Sequence, residues 1–151
     1  MEKNYISFLN IYEEKMGEYL GLSINDIKQI ERKFNIRLPK IYKQFLLKYG
    51  KNSGYLLSGY LVTIDKISGN RESALDASYD EIDNVKVEIK DSYFFFAQWQ
   101  GYNFYFFDCS LNEEDPPIFL LDDSPKIVKY KDSFTDFLKD EGLRPLLENF
   151  P

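Results

Sequence analysis

The chain has 151 residues, of which 44% are hydrophobic and 29% charged, a mixture typical of a globular domain and not of a disordered chain. Its formal net charge is −6, and it contains no histidine and one cysteine. These counts exclude Ser-His-Asp and Cys-His catalysis, histidine-containing zinc sites and Cys-only zinc sites. Paired carboxylates, a lysine base or a carboxylate-bound Mg²⁺ remain as catalytic options.

The N-terminal segment shows no basic stretch followed by an apolar run, so we expect no secretory signal. No run of about 18 apolar residues is present that would span a bilayer. Cys109 has no second cysteine with which to form an intrachain disulfide, which suits a reducing compartment. The sequence therefore predicts a cytoplasmic protein, and no cofactor motif is found.

Three helices are predicted in the first 50 residues. Apolar side chains recur at helical spacing between residues 4 and 20. Ser23 and Asp26 have the spacing of a capping box, which predicts a second helix over residues 25–34. Pro39 fits the start of a third helix, with apolar positions at helical spacing until Gly50 ends it.

The periodicity changes after Gly50. The stretch YLVTI at residues 60–64 predicts a strand. Residues 65–91 are polar and acidic, and we expect one or two helices there with long connections. This segment has the weakest pattern in the chain.

Four strands and a closing helix are predicted in the second half, at residues 93–98, 103–107, 118–121, 127–130 and 134–140. The first two strands are apolar on both faces and form a hairpin, so we expect them to be central strands covered by helices. Ser133 fits the N-cap of the closing helix. The order predicts a single α+β domain over residues 1–151, with N-terminal helices packed on a mostly antiparallel sheet.

Residues 22–31 read LSINDIKQIE, and they are followed by Leu38-Pro39 and by an aromatic, leucine-containing segment that ends at Tyr49-Gly50. This series of motifs resembles the SUKH superfamily. That superfamily includes Smi/Knr-like cell-wall regulators and bacterial immunity proteins. The aromatic strands and the segment SFTDFL at residues 133–138 also resemble its later elements. The resemblance covers roughly residues 22–138 and rests on the order and spacing of the motifs.

The resemblance implies a protein-binding role without catalytic residues. Bacterial members look like cytoplasmic antidotes that bind and block a toxin. The matching positions Glu31, Leu38, Pro39 and Tyr42 are interpreted as structural. Glu31 should accept hydrogen bonds from backbone N–H groups of a nearby loop, and Leu38 should anchor the turn between two helices in the core.

Acidic residues concentrate in the middle of the chain. Residues 72–123 hold two basic and 13 acidic side chains, a net charge of −11. The candidate partner-binding carboxylates are Glu113, Glu114 and Asp115 on one side of the predicted strand at 118–121, and Asp122 and Asp123 on the other. With the acidic side chains of residues 76–83 they would attract a basic partner and repel nucleic acid. The alternative is that these carboxylates are a solvated surface that keeps the fold soluble.

Trp99 and Tyr102 flank the tip of the predicted hairpin at residues 93–107. Exposed aromatic side chains make good interface anchors because they bury much area with little loss of side-chain freedom. Alternatively both rings fold back onto the sheet and belong to the core, as aromatic residues beside strands commonly do. Cys109 follows Asp108, whose carboxylate should disfavour a thiolate, so we expect an unreactive cysteine.

The resemblance, the missing catalytic groups and the acidic middle segment together favour a non-catalytic immunity protein. Its partner would be a toxin domain with a basic surface, for example a nuclease. One alternative is a scaffold or regulator of cell-wall or signalling complexes, like the fungal relatives. Another is a module that binds a small ligand or carbohydrate through its aromatic strands, for which a cleft lined by tyrosine and phenylalanine would be the expected feature.

Overall fold

The computed structural model describes residues 3–148. The α-helices are α1 Ile24–Phe34, α2 Lys40–Tyr49, α3 Ile64–Ala77, α4 Phe134–Phe137 and α5 Arg144–Glu148. The strands are β1 Tyr79–Asp80, β2 Val85–Lys86, β3 Tyr93–Trp99, β4 Asn103–Asp108, β5 Ile118–Leu121 and β6 Ile127–Lys131. Two 3₁₀ helices, Ser7–Lys15 and Cys109–Leu111, and a π-helical segment, Leu138–Gly142, complete the described elements. The predicted α+β fold is confirmed.

The start of α1 is fixed by the predicted capping box. The Asp26 N–H donates to Ser23 Oγ at 3.1 Å, and the Ser23 N–H donates to Asp26 Oδ2 at 3.0 Å. Two backbone donors that the helix leaves free are thereby satisfied. Asn35 ends the helix in the left-handed region with φ 51°, a conformation that asparagine tolerates better than most residues.

The turn between α1 and α2 is held by a side chain of α1. The Leu38 N–H donates to Glu31 Oε2 at 2.8 Å, and Lys43 Nζ lies 3.5 Å from the same oxygen. Leu38 itself is buried. Both structural roles that the resemblance implies for Glu31 and Leu38 are therefore confirmed. The carboxylate satisfies a donor that water cannot easily reach.

The four longer strands form one antiparallel sheet in the order β3-β4-β5-β6, and β1 pairs with β2 in a separate hairpin. Helices α1, α2 and α4 cover one face of the larger sheet, where Phe94, Phe96 and Phe107 are buried. Helix α3 and the segment 87–89 cover the other face. Burial on both faces explains the continuous apolar runs of β3 and β4. The prediction that both are central is wrong for β3, which lies at the sheet edge.

A β-bulge interrupts the alternation of β3 between Phe95 and Ala97. Phe95 pairs with Phe106 and Ala97 with Tyr105, so Phe96 is the extra residue. The bulge shifts the side-chain phase by one position. As a result Trp99, and not Gln98, shares the face of Phe94 and Tyr105.

The strand predicted at residues 60–64 is wrong. The only sheet-like contacts there are a bridge between Tyr60 and Trp99 and a hydrogen bond from the Leu61 N–H to the Gln98 carbonyl, 2.9 Å. Thr63 is the N-cap of α3, and its hydroxyl donates to Asp65 Oδ1 at 2.5 Å. Thr63 makes no side-chain capping bond to the helix backbone, but α3 begins at Ile64 and so ends the extended stretch before it can form a ladder.

The closing helix begins as predicted, because the Asp136 N–H donates to Ser133 Oγ at 3.0 Å. It is α-helical only over Phe134–Phe137 and continues as the π-helical segment to Gly142. The sequence also predicts one more helical turn over residues 143–151, and the turn is found as α5. Residues 149–151 of that predicted turn lie outside the described part of the chain.

Replacing Glu31 with alanine should lower the free energy of unfolding by about 1–3 kcal/mol, because the buried Leu38 N–H loses its acceptor. Glu31→Gln is the matched control: its amide oxygen can still accept the bond, so it should lose clearly less. Urea denaturation followed by circular dichroism measures both. Equal losses of unfolding free energy in the two variants would show that the hydrogen-bond acceptor at residue 31 does not stabilise the fold.

Candidate partner-binding surfaces and a tyrosine-lined cleft

The structure places the predicted site residues at two opposite ends of the sheet. Because Phe104 pairs with Leu121, the β3–β4 turn with Trp99 and Tyr102 lies at the same end as the β5–β6 turn with Asp122 and Asp123. Glu113, Glu114 and Asp115 precede β5 and lie at the other end. Four residues of β5 separate the two groups, roughly 13 Å at the usual rise per residue.

At the end where β5 starts, the three carboxylates have different roles. Glu113 is exposed. Glu114 accepts a hydrogen bond from the Tyr5 hydroxyl, which lowers the pKa of the carboxyl group, and lies 3.8 Å from Lys40 Nζ. Asp115 accepts from the Thr135 N–H at 3.1 Å and from the Thr135 hydroxyl at 2.6 Å. Asp115 thus ties the loop to the first turn of α4, while Glu113 and Glu114 face solvent.

At the other end, Asp122 accepts hydrogen bonds from the backbone N–H of Ser124, at 3.0 Å, and from its hydroxyl. This is a local turn interaction of the kind that aspartate commonly makes. Asp123 is exposed, and Tyr102 is 44% exposed. Tyr102 and Asp123 are therefore free to contact a partner at this end.

Trp99 is half-buried, so neither of the two predicted alternatives describes it fully. Its ring packs on Tyr60, with the ring centroids 4.9 Å apart, and one edge faces Gly59. A Cβ at residue 59 would lie 2.4 Å from Trp99 Cζ3, and Gly59 has φ +95°. Glycine is required here both by the close approach and by the backbone conformation.

A second surface, which we call the hairpin surface, consists of Tyr79, Ile82 and Val85 together with the acidic residues Asp76, Asp80, Glu81 and Asp83. Every residue from 81 to 86 is exposed, and Ile82 is 94% exposed. Asp80 Oδ1 accepts from the Ile82 N–H at 3.0 Å and so supports the turn. The acidic residues of this surface are evident from the sequence but the apolar ones are not, because strands of two residues leave no detectable alternation.

A third feature, the tyrosine cleft, has a volume of about 510 Å³. It lies between one face of the sheet and the C-terminal helical segments, and the side chains that line it include Tyr60, Trp99, Tyr105, Tyr130, Glu141, Arg144 and Glu148. The three tyrosine rings form a chain, with centroids 5.6 Å apart between Tyr60 and Tyr105 and 5.1 Å apart between Tyr105 and Tyr130.

Glu141 forms the floor of the tyrosine cleft and is only 4% exposed. Its Oε1 accepts from the Tyr60 hydroxyl at 2.9 Å and from the Tyr130 hydroxyl at 2.6 Å, and Arg144 pairs with its Oε2. Burial, together with the adjacent carboxylate, raises the pKa of Tyr60 and of Tyr130 well above the usual value. Both phenols therefore remain protonated donors at neutral pH. The sequence analysis did not single out Glu141.

Cys109 does not have the environment of a nucleophile. Burial, reinforced by the Asp108 and Glu31 carboxylates, raises the pKa of its thiol to about 12. Among residues 3–148, no group of three or more His, Cys, Asp or Glu side chains is arranged to hold a metal ion.

The part of the chain that the structure describes contains no helix long and apolar enough to cross a membrane.

These features belong to a helical layer packed on an antiparallel sheet, with acidic loops at the sheet ends. A family model described as SMI1-KNR4 cell-wall matches residues 24–138, about three quarters of the chain. The chain belongs to this family, which confirms the resemblance to the SUKH superfamily. Membership is consistent with an immunity protein or a Smi/Knr-like regulator, and members typically bind protein partners. A search of curated proteins finds no match.

Alkylation of Cys109 by iodoacetamide at pH 8 should be at least about 100-fold slower in the folded protein than in urea, because the thiolate fraction is far smaller when the pKa is raised. The rate in the folded protein should still rise about tenfold per pH unit between pH 8 and 10, since the thiol titrates above that range. Intact-mass spectrometry measures both rates. A folded-state rate that levels off near pH 9 would contradict the raised pKa.

Proposed function

We propose that this protein is a non-catalytic, cytoplasmic immunity protein, a single domain over residues 1–151 that binds and neutralises a bacterial toxin. The toxin domain would present a basic surface, as nucleases do. The hairpin surface carries the proposal, because it combines exposed apolar side chains with several carboxylates of the same short segment. Protein interfaces of this kind place apolar anchors in the centre and charged groups at the rim.

Ile82 is the best candidate for the central anchor. A large aliphatic side chain that is 94% exposed gains about 1.5–3 kcal/mol when a partner buries it. Tyr79 and Val85 are exposed on the two strands of the same hairpin, on opposite faces because Tyr79 pairs with Lys86 and Asp80 with Val85. The hairpin surface is therefore suited to enter a cleft of a partner.

The charge around Ile82 supports a basic partner. Asp76, Glu81 and Asp83 are exposed, and residues 72–123 carry a net charge of −11. The substrate cleft of a nuclease is positive because it binds phosphates. Acidic side chains on the hairpin would accelerate the encounter with such a cleft and lose this effect at high salt.

The other acidic loops are proposed as secondary contacts. Tyr102, Asp122 and Asp123 form one group, and Glu113, Glu114 and Asp115 form the other, with Trp99 behind Tyr102 in the wall of the tyrosine cleft. The two groups lie at opposite ends of the sheet, so a partner of modest size would contact one of them.

A regulator or scaffold of cell-wall or signalling complexes is the alternative that family membership equally allows. A gene neighbourhood without a toxin domain would favour it. A small-ligand or carbohydrate module is the third reading, and the tyrosine cleft is the observation in its favour.

Expression of this protein should protect cells that express the toxin domain encoded beside its gene, and calorimetry with the purified domain should show a saturable complex. Affinity should fall as salt is raised from 50 to 500 mM, since oppositely charged surfaces are screened. The proposal fails if the two purified proteins do not bind and growth is not restored.

Replacing Ile82 with serine should weaken binding to that toxin domain by roughly 10- to 100-fold, the equivalent of one buried aliphatic side chain. The matched control is Ile11→Ser, which removes an 82% exposed isoleucine from the N-terminal 3₁₀ helix and should leave the affinity unchanged. Neither change should alter the melting temperature by more than a few degrees. Equal effects on affinity in the two variants would remove the hairpin surface as the docking site.

A further inference from the structure

The tyrosine cleft combines two features that the immunity role of the hairpin surface does not use. Its floor is a carboxylate, Glu141, that is almost completely buried, and its walls are the rings of Tyr60, Trp99, Tyr105 and Tyr130. Aromatic faces carry negative electrostatic potential and attract cations. A carboxylate beneath such walls adds an attraction that is strong because solvent is largely excluded.

The charges that line the tyrosine cleft do not cancel. Glu141 and Glu148 are negative, and Arg144 is the single positive side chain among the lining residues. Arg144 pairs with Glu141, and its Nε lies 3.9 Å from Glu148 Oε1. The lining therefore keeps one net negative charge, which disfavours an anionic ligand and favours a cationic one.

The ion pair of Arg144 shows that Glu141 can bind a guanidinium group. The Arg144 guanidinium bonds Glu141 Oε2 from the solvent side, since the Arg144 side chain is 52% exposed and that of Glu141 only 4%. A guanidinium is planar, forms paired hydrogen bonds with carboxylates and stacks on aromatic rings. The Arg144 side chain is half-exposed and approaches Glu141 from the solvent side, so an incoming guanidinium can compete for the same oxygen.

We propose that the tyrosine cleft is a receptor for an arginine side chain of a protein partner, with the guanidinium held by Glu141 and Glu148 and packed against the ring of Trp99. In the free protein Arg144 makes the contacts with Glu141 and Glu148, and it swings outward when the partner's arginine enters. The source of the arginine rests on the proposed function, because a basic toxin domain would supply it. The capacity of the cleft to bind a guanidinium does not depend on that function.

Trp99 provides a local readout, since it is the only tryptophan in the chain and lines the tyrosine cleft. The probe is N-acetyl-L-arginine methylamide, and the control is N-acetyl-L-citrulline methylamide, which has nearly the same shape but no charge. We expect the arginine probe to change Trp99 fluorescence saturably, with a dissociation constant of about 1–10 mM, typical of one side chain. The citrulline probe should bind at least about tenfold more weakly, because the charge-dependent contacts are lost.

Two substitutions should change the affinity for the arginine probe in opposite directions. Glu141→Gln removes the floor charge and should reduce binding of the arginine probe at least about tenfold. Arg144→Gln removes the internal competitor and should strengthen binding severalfold. Arg144 is half-exposed, so this variant should fold, and it decides the matter alone if Glu141→Gln is too unstable to study.

Equal binding of the two probes, a saturable response only to oligosaccharides, or an Arg144→Gln variant that binds no better than the parent would each overturn the proposal. The outcomes separate this inference from the immunity function. Arginine binding without toxin binding would keep the cleft and remove the immunity role. Toxin binding without any response to the arginine probe would keep the immunity role and remove the cleft as an arginine receptor.

Discussion

Tyr42 of α2 packs against the sheet and joins the helical layer to it. Every other feature depends on the relative position of these two layers. The buried ring of Tyr42 lies 5.1 Å from Phe107, 5.4 Å from Phe94 and 5.7 Å from Phe134, measured between centroids and mostly edge to face. One residue of α2 therefore contacts β3, β4 and α4 together. Aromatic pairs in this geometry contribute beyond the area they bury. The layers fix the position of both sheet ends, and with them the acidic loops and the tyrosine cleft.

Local signals predicted most of the fold. The capping box at Ser23, the helix start after Pro39 and the cap at Ser133 each depend on neighbouring residues, and so they can be read from sequence. The short hairpin at residues 79–86 could not be, because two-residue strands have no period. Residues 60–64 have strand composition, but α3 begins at Ile64 and leaves no length for a strand. The order of helices and strands, read from the same local patterns, indicates the α+β class.

The candidate sites were less accessible to sequence reasoning. The acidic loops were identified by composition, and a strand between them predicts their separation, yet the position of Trp99 and Tyr102 at the same end as Asp122 and Asp123 follows from the antiparallel register of β4 and β5. The tyrosine cleft brings together residues 60, 99, 105, 130 and 141, and no local pattern links positions so far apart. Glu141 resembles a surface residue of an acidic helix in the sequence. Only the packing of the C-terminal segment against the sheet face turns it into a buried group with three hydrogen-bond partners.

The bulge at Phe96 has a consequence for how relatives of this protein can diverge. Because Phe96 is the extra residue, its deletion would restore strict alternation and leave Trp99 opposite Asn103, on the face that it now occupies. A one-codon deletion after the bulge, at Gln98, would instead place the indole of Trp99 opposite Phe104, on the face covered by α3, and bring Gln100 to the position opposite Asn103. A change in strand length, with no substitution in the binding wall itself, is thus enough to exchange an aromatic surface for an amide and to give a related chain a different specificity.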